Sequence, residues 1–161
     1  MVEKKFSTEE YASFFGNVET ILRANLPPGL SKFSTSEKER NFIRISWPTL
    51  SYIIFEFQVN IISDTQKDFY GSECREVFAF YDKSPFRTNW IREVSIFKDV
   101  ISSQLDRDLK ADKWNENWTT LGFCLDINEL DKNPEQYARL AGYFIQAAYV
   151  PISLAYQKSR N

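Results

Sequence analysis

The sequence predicts an α+β domain over residues 1–161, a mainly antiparallel sheet of about three to four strands covered by N-terminal, middle and C-terminal helices. Three observations predict it. An apolar stripe of helical period follows a helix-start pattern near the N-terminus. Two segments in the middle and one later on alternate apolar and polar residues as strands do. The last segment is apolar at helical spacing and longer than any strand.

The first helix begins at Ser7-Thr8-Glu9-Glu10, where a Ser hydroxyl and a Glu carboxylate three positions on can satisfy the free amides of a helix start. Tyr11, Phe14, Phe15, Val18, Ile21, Leu22 and Leu26 then recur at spacings of three and four, and Pro27-Pro28-Gly29 ends the element. Leu30 to Arg40 mixes Ser, Thr and charges without period and reads as an exposed loop. Phe42–Trp47 and Ser51–Ile62 read as consecutive strands joined by Pro48-Thr49-Leu50. In the second, Ile53, Phe55, Phe57, Val59 and Ile61 take one face, and Glu56, Gln58 and Asn60 take the other, expected to be wet or paired with Arg44.

Asp64 to Ser72 is expected to be a polar connection. Cys74 to Asp82 fits both periods, with Val-Phe-Ala-Phe-Tyr favouring a strand. After Ser84-Pro85, Trp90, Val94, Phe97, Ile101 and Leu105 mark a middle helix, which Ser102–Lys113 either continues or leaves as a charged loop. Thr119 to Ile127 alternates as a strand. Asn133-Pro134-Glu135 opens the final helix, with Pro at an allowed first-turn position. There Tyr137, Leu140, Ala141, Phe144, Ala148 and Ile152 form one stripe, and Tyr143, Ala147, Val150 and Leu154 occupy much of the remaining surface. A helix apolar nearly all round is buried in its own fold or against a partner. Pro151 should kink or end it near Ala147 to Val150.

Composition narrows the chemistry. There is no His, so Ser-His triads and imidazole metal sites are excluded. Five scattered Gly and no Gly-rich phosphate motif argue against a nucleotide site, and no cofactor is expected. A net charge of −2 lacks the basic footprint of a duplex binder. Two cysteines, Cys74 and Cys124, without zinc-site spacing point to a reduced, cytoplasmic setting, and no metal site is expected. No stretch approaches the ~20 apolar residues of a membrane span, and the N-terminus lacks a secretory signal pattern, so no membrane partner is expected. Aromatic residues are in surplus, with 14 Phe, 8 Tyr and 4 Trp, which thicken a core or leave apolar surface for a partner.

Three sets of residues could carry chemistry. Glu56-Phe57-Gln58 resembles in layout the Glu-x-Lys strand of restriction-like nucleases, though Gln stands where that pattern has Lys and the preceding strand holds no Asp. The resemblance implies metal-dependent hydrolysis or a degenerate nucleic-acid-handling domain. Nucleic-acid handling would separately require a clustered basic face, for which Lys32, Lys38, Arg40 and Arg44 are the candidates. Asp106, Asp108 and Asp112 alternate with Arg107, Lys110 and Lys113 as a salt-bridged helix surface, lacking the Gly and Glu of a calcium loop. Trp114 and Trp118 could form a stacking surface.

The leading expectation is a non-catalytic protein-interaction or oligomerising module. Its expected interface is Tyr137, Leu140, Phe144, Ala148 and Ile152, and its expected partner is protein, in the first place another copy of the chain. A nucleic-acid partner is the alternative, and a His-free metal hydrolase the second. Arg44, Glu56, Gln58 and Asn60 are the residues to examine for those two readings.

Overall fold

The computed structural model describes residues 6–36, 38, 40–50, 53–61, 64–71, 73–82, 98–113, 119–125 and 133–160. Helix α1 (Thr8–Asn25) starts at the capping box: Ser7 Oγ accepts from the Glu10 amide and Glu10 Oε1 accepts from the Ser7 amide, each at 3.2 Å. Two of the amides a helix start leaves free are thereby satisfied. A one-turn helix, α2 (Pro28–Ser31), follows, and then strand β1 (Ser34–Ser36). The stretch from Leu30 is therefore not simply an exposed loop. Thr35 pairs with Ile45 in the sheet, and its hydroxyl donates to Glu19 Oε1 on α1 at 2.7 Å.

The sheet continues with β2 (Phe42–Ser46), a 3₁₀ turn at Pro48–Leu50, β3 (Ile53–Gln58), β4 (Glu76–Asp82), β5 (Lys110–Lys113) and β6 (Thr119–Leu125). All neighbours are antiparallel, in the order β1-β2-β3-β4-β6-β5. Six strands exceed the expected three to four because the two edges, Ser-Thr-Ser and Lys-Ala-Asp-Lys, carry no apolar alternation to announce them. Backbone pairing with an established neighbour makes them strands.

Residues 98–105 form helix α4, the described part of the middle helix; Trp90 to Phe97 lie outside the described residues. It does not extend to Lys113: a charged turn over 106–109 leads into a strand. Asp106 takes a φ of 53°, which helical residues do not adopt, and the chain enters β5 four residues later. Strand β3 ends at Gln58, with Asn60 at a φ of 54°, and Ile62 lies outside the described residues. The expected connection at Asp64 is a helix, α3 (Asp64–Tyr70).

Register divides the sheet into two faces. Phe55 pairs with Phe80 and Phe57 with Phe78, and Phe78 and Phe80 pair with Phe123 and Leu121, so these side chains share one face. Against it lies α5 (Pro134–Arg160), whose start is capped by Asn133 Oδ1 accepting from the Glu135 amide at 2.9 Å. Phe144 places its ring 5.5 Å from Phe55, 5.4 Å from Phe123 and 6.1 Å from Phe80. Tyr137 packs its ring 4.6 Å from Phe78 and 5.3 Å from Phe14 of α1, and its hydroxyl donates to the Gln58 carbonyl at 3.1 Å. Helix α1 lies beside α5, and Ile101 of α4 is buried in the same core. The aromatic surplus thus fills the interior to a large extent.

Pro151 neither ends nor shortens α5, which runs on to Arg160. Proline forfeits one amide donor, yet Ile152 next to it is 1% exposed, and that anchorage holds the following turn on the core.

Candidate functional site

Two regions hold the residues singled out from the sequence. The first is the opposite face of the sheet, which carries Arg44, Glu56, Gln58, Val77, Ala79 and Tyr81 by register. It is not wet. Glu56 is 5% and Gln58 8% exposed, because α3 crosses this face: Gln66 Nε2 donates to Gln58 Oε1, and Tyr70 packs on the cluster of Ile61, Cys74, Val77, Ala79 and Tyr81. Strand alternation assigns a side chain to a face; only the chain's return decides whether that face meets water.

Glu56 Oε1 accepts from Arg44 Nε at 3.3 Å, with the Glu56 side chain 6% and the Arg44 side chain 31% exposed. Such a pair neutralises the charge that burial would otherwise disfavour. Burial first, and the negative charge of Glu56 in addition, push the phenols of Tyr70 and Tyr81 well above their ordinary range. Burial thus favours the neutral phenol at both positions. Asn60, expected beside Glu56 and Gln58, lies past the end of β3, and its amide donates to the Tyr11 hydroxyl of α1 at 3.1 Å. The positive φ at Asn60 turns it away from the strand's alternation. Hydrogen bonding to Cys124, with burial second, raises the Cys74 thiol above its ordinary value and so disfavours the thiolate.

Among the described residues no group of three or more His, Cys, Asp or Glu could hold a metal ion. The carboxylate of Glu56 is engaged by the Arg44 guanidinium. Of the four cations of the expected basic face, Lys38 bonds Glu19 at 3.1 Å and Arg44 bonds Glu56. Trp114 and Trp118 lie outside the described residues.

The second region is α5, and its two sides differ. Tyr137, Phe144 and Ala148 are fully buried and Ile152 nearly so, all against the chain's own sheet and α1, with Leu140 alone of the expected interface at the margin. The stripe expected from sequence as an interface is filled from within. The opposite side is not. Tyr143 is 64%, Val150 61% and Leu154 46% exposed, and the helix from Leu140 to Gln157 contains no Asp, Glu, Lys or Arg. No helix of the described residues is long and apolar enough to cross a membrane.

Tyr143 stands as a ridge between two grooves. One, of about 340 Å³, lies between α4 and α5 and is lined by Gln104, Leu105, Leu140 and Ala147. The other, of about 220 Å³, lies toward the C-terminal end of α1 and is lined by Ile21, Asn25, Leu26 and Gly142. Both share Tyr143 and Gln146 as a common wall. A knob flanked by holes is the relief from which helix pairs are built. The signal that could have selected this side from sequence is the missing charge: solvent-facing helix surfaces ordinarily alternate apolar residues with Lys and Glu, and this one has none over about five turns. No protein-family model matches the chain, and no curated protein and no solved structure matches it, so the surface itself carries the functional reading.

Proposed function

We propose that this chain is a non-catalytic interaction module that assembles through the outer side of α5. The observation that carries the reading is the uncharged ridge of Tyr143, Val150 and Leu154, three large apolar side chains about half or more exposed on one helix. Scattered apolar residues are ordinary on a protein surface, but these three share a helix face, and Tyr143 is bordered by two grooves. Interface centres are depleted of charge and enriched in aromatic residues, which is the composition here. Catalysis would instead need a base, a nucleophile or a metal donor set. The buried polar face supplies a neutralised Glu56 and two protonated phenols. The two free cysteines fit a reducing compartment such as the cytoplasm.

The test is the mass in solution by light scattering over a range of concentrations, for wild type and for Val150→Glu. Wild type should be a dimer or larger, and the variant should fall to monomer mass with its melting temperature retained, because Val150 lies outside the core. A wild-type protein that stays monomeric at every concentration would overturn the reading.

A further inference from the structure

Cys74 and Cys124 are far apart in the chain, and the fold brings them together on the side of the sheet that α3 crosses. Leu125 of β6 faces Glu76 in register and also takes the Arg75 amide on its carbonyl at 2.9 Å. Two residues at the entrance of β4 thus meet one of β6, which is a β-bulge. In an unbroken strand Cys74 and Val77, three positions apart, would face opposite sides of the sheet. The extra residue puts both in one cluster with Ile61, Ala79 and Tyr81. Cys124 stands opposite Val77, packs on that same cluster, and is hydrogen-bonded to the Cys74 thiol.

We propose that Cys74 and Cys124 form a reversible oxidation site, a dithiol that hydrogen peroxide closes to an intrachain disulfide, with Cys124 attacked first and Cys74 resolving. Exposure assigns the roles. Cys124 is partly exposed and open to a small oxidant, whereas Cys74 is 2% exposed and shielded from it. The hydrogen bond between the thiols acts in the same direction: it holds the proton on Cys74, so the pair loses its first proton from Cys124. Two sulfurs already in hydrogen-bond contact are placed to close to a bond of about 2 Å by side-chain rotation. A disulfide that forms and is reduced again is the kind a reducing compartment permits.

The reaction runs in two steps. The Cys124 thiolate attacks one peroxide oxygen, the O–O bond breaks, and the departing hydroxide takes up the proton that Cys124 lost and leaves as water; Cys124 is now a sulfenic acid. The Cys74 sulfur then attacks the Cys124 sulfur, the S–O bond breaks, and the hydroxyl leaves as a second water with the Cys74 proton. The two thiols are oxidised by two electrons and the peroxide is reduced by two. Before oxidation Cys124 offers its hydrogen to the Tyr70 carbonyl at 3.6 Å, at the C-terminal end of α3, and Cys74 offers its own to the Glu76 carbonyl at 3.7 Å. Closing the disulfide withdraws both.

The test treats the fully reduced chain with hydrogen peroxide, blocks remaining thiols with N-ethylmaleimide, and reads intact mass and peptide maps. Wild type should lose two hydrogens per chain, take up no maleimide, and yield one linked peptide pair joining positions 74 and 124, all reversed by dithiothreitol. Cys74→Ala should stop at the sulfenic acid of Cys124, trapped as its dimedone adduct. In Cys124→Ala the remaining Cys74 should oxidise at least about tenfold more slowly than Cys124 does in Cys74→Ala. Wild-type protein that gains oxygen at Cys124 while Cys74 stays open to alkylation would overturn the proposal, and so would a disulfide that only joins two chains. Equal oxidation rates of the two single variants would overturn the order of attack. The wild-type peptide map decides for or against the disulfide even if replacing the buried Cys74 unfolds the chain.

Discussion

The two sides of α5 are made of the same kinds of residue and have opposite fates. Phe144, Ala148 and Ile152 are sealed against the sheet, and Tyr143, Val150 and Leu154 stand in solvent one or two positions away. Apolar character alone does not tell a core residue from an interface residue. The difference is what lies opposite: an aromatic platform of Phe55, Phe80 and Phe123 on one side, and two open grooves on the other. Mutation separates the two roles because core residues act on stability and surface residues on association.

The largest contrast should come from truncating one residue on each side. Phe144→Ala removes a fully buried ring that touches four other phenylalanines, and it should cost about 3–5 kcal/mol. Tyr143→Ala should change stability by no more than about 0.5 kcal/mol and lower association instead. Chemical denaturation and light scattering on both variants check this, and a Tyr143→Ala protein as destabilised as Phe144→Ala would erase the distinction.

Gly122→Ala attacks the inward side from behind. A β-carbon on Gly122 would sit 2.6 Å from both the Ala79 β-carbon and the Phe78 carbonyl oxygen, closer than such atoms approach. Strand β6 must then shift from β4 and carry with it Phe123, on which Phe144 rests. A loss of about 1–3 kcal/mol is expected, measured by the same denaturation. Wild-type stability would mean that the strand can shift at little cost.

Glu19 gives the smallest effect and sharpens the comparison through α1, the helix beside α5. Burial raises its pKa, but hydrogen bonds from Thr35 and Lys38 and the charges of Lys38 and Arg23 outweigh it, and the net result is below the ordinary carboxylate value. A folded-state pKa below the unfolded value stabilises the protein above the unfolded pKa, about 4.3, and that stability is lost as pH falls toward the folded value. Glu19→Gln should therefore cost under about 1 kcal/mol at neutral pH, and the difference from wild type should shrink on acidification below about pH 4. Its solution mass should match wild type. A difference that grew on acidification would contradict the assignment.

Legibility followed the reach of each interaction. The start of α1 was readable because a capping box is complete within four residues. Strands β2, β3 and β6 were readable from β-branched and aromatic residues in runs or alternation, whereas the segment of β4 fitted both periods. The edge strands β1 and β5 were not, since Ser-Thr-Ser and Lys-Ala-Asp-Lys become strands only by hydrogen bonding to residues elsewhere in the chain. Helix α3 was missed because its seven residues are too few to show a period. At the candidate site, the all-round apolar character of the last helix was legible, and which side met the sheet was not.

The sequence by itself determined the α+β class, the boundaries set by local caps and turns, the absence of imidazole chemistry and the uncharged run from Leu140 to Gln157. The tertiary structure alone decided that Glu56 and Gln58 are buried, that Asn60 leaves their face, and that Phe144 points inward and Tyr143 outward. The physical reason is that capping and periodicity act between near neighbours, whereas burial depends on which distant segment arrives to exclude water.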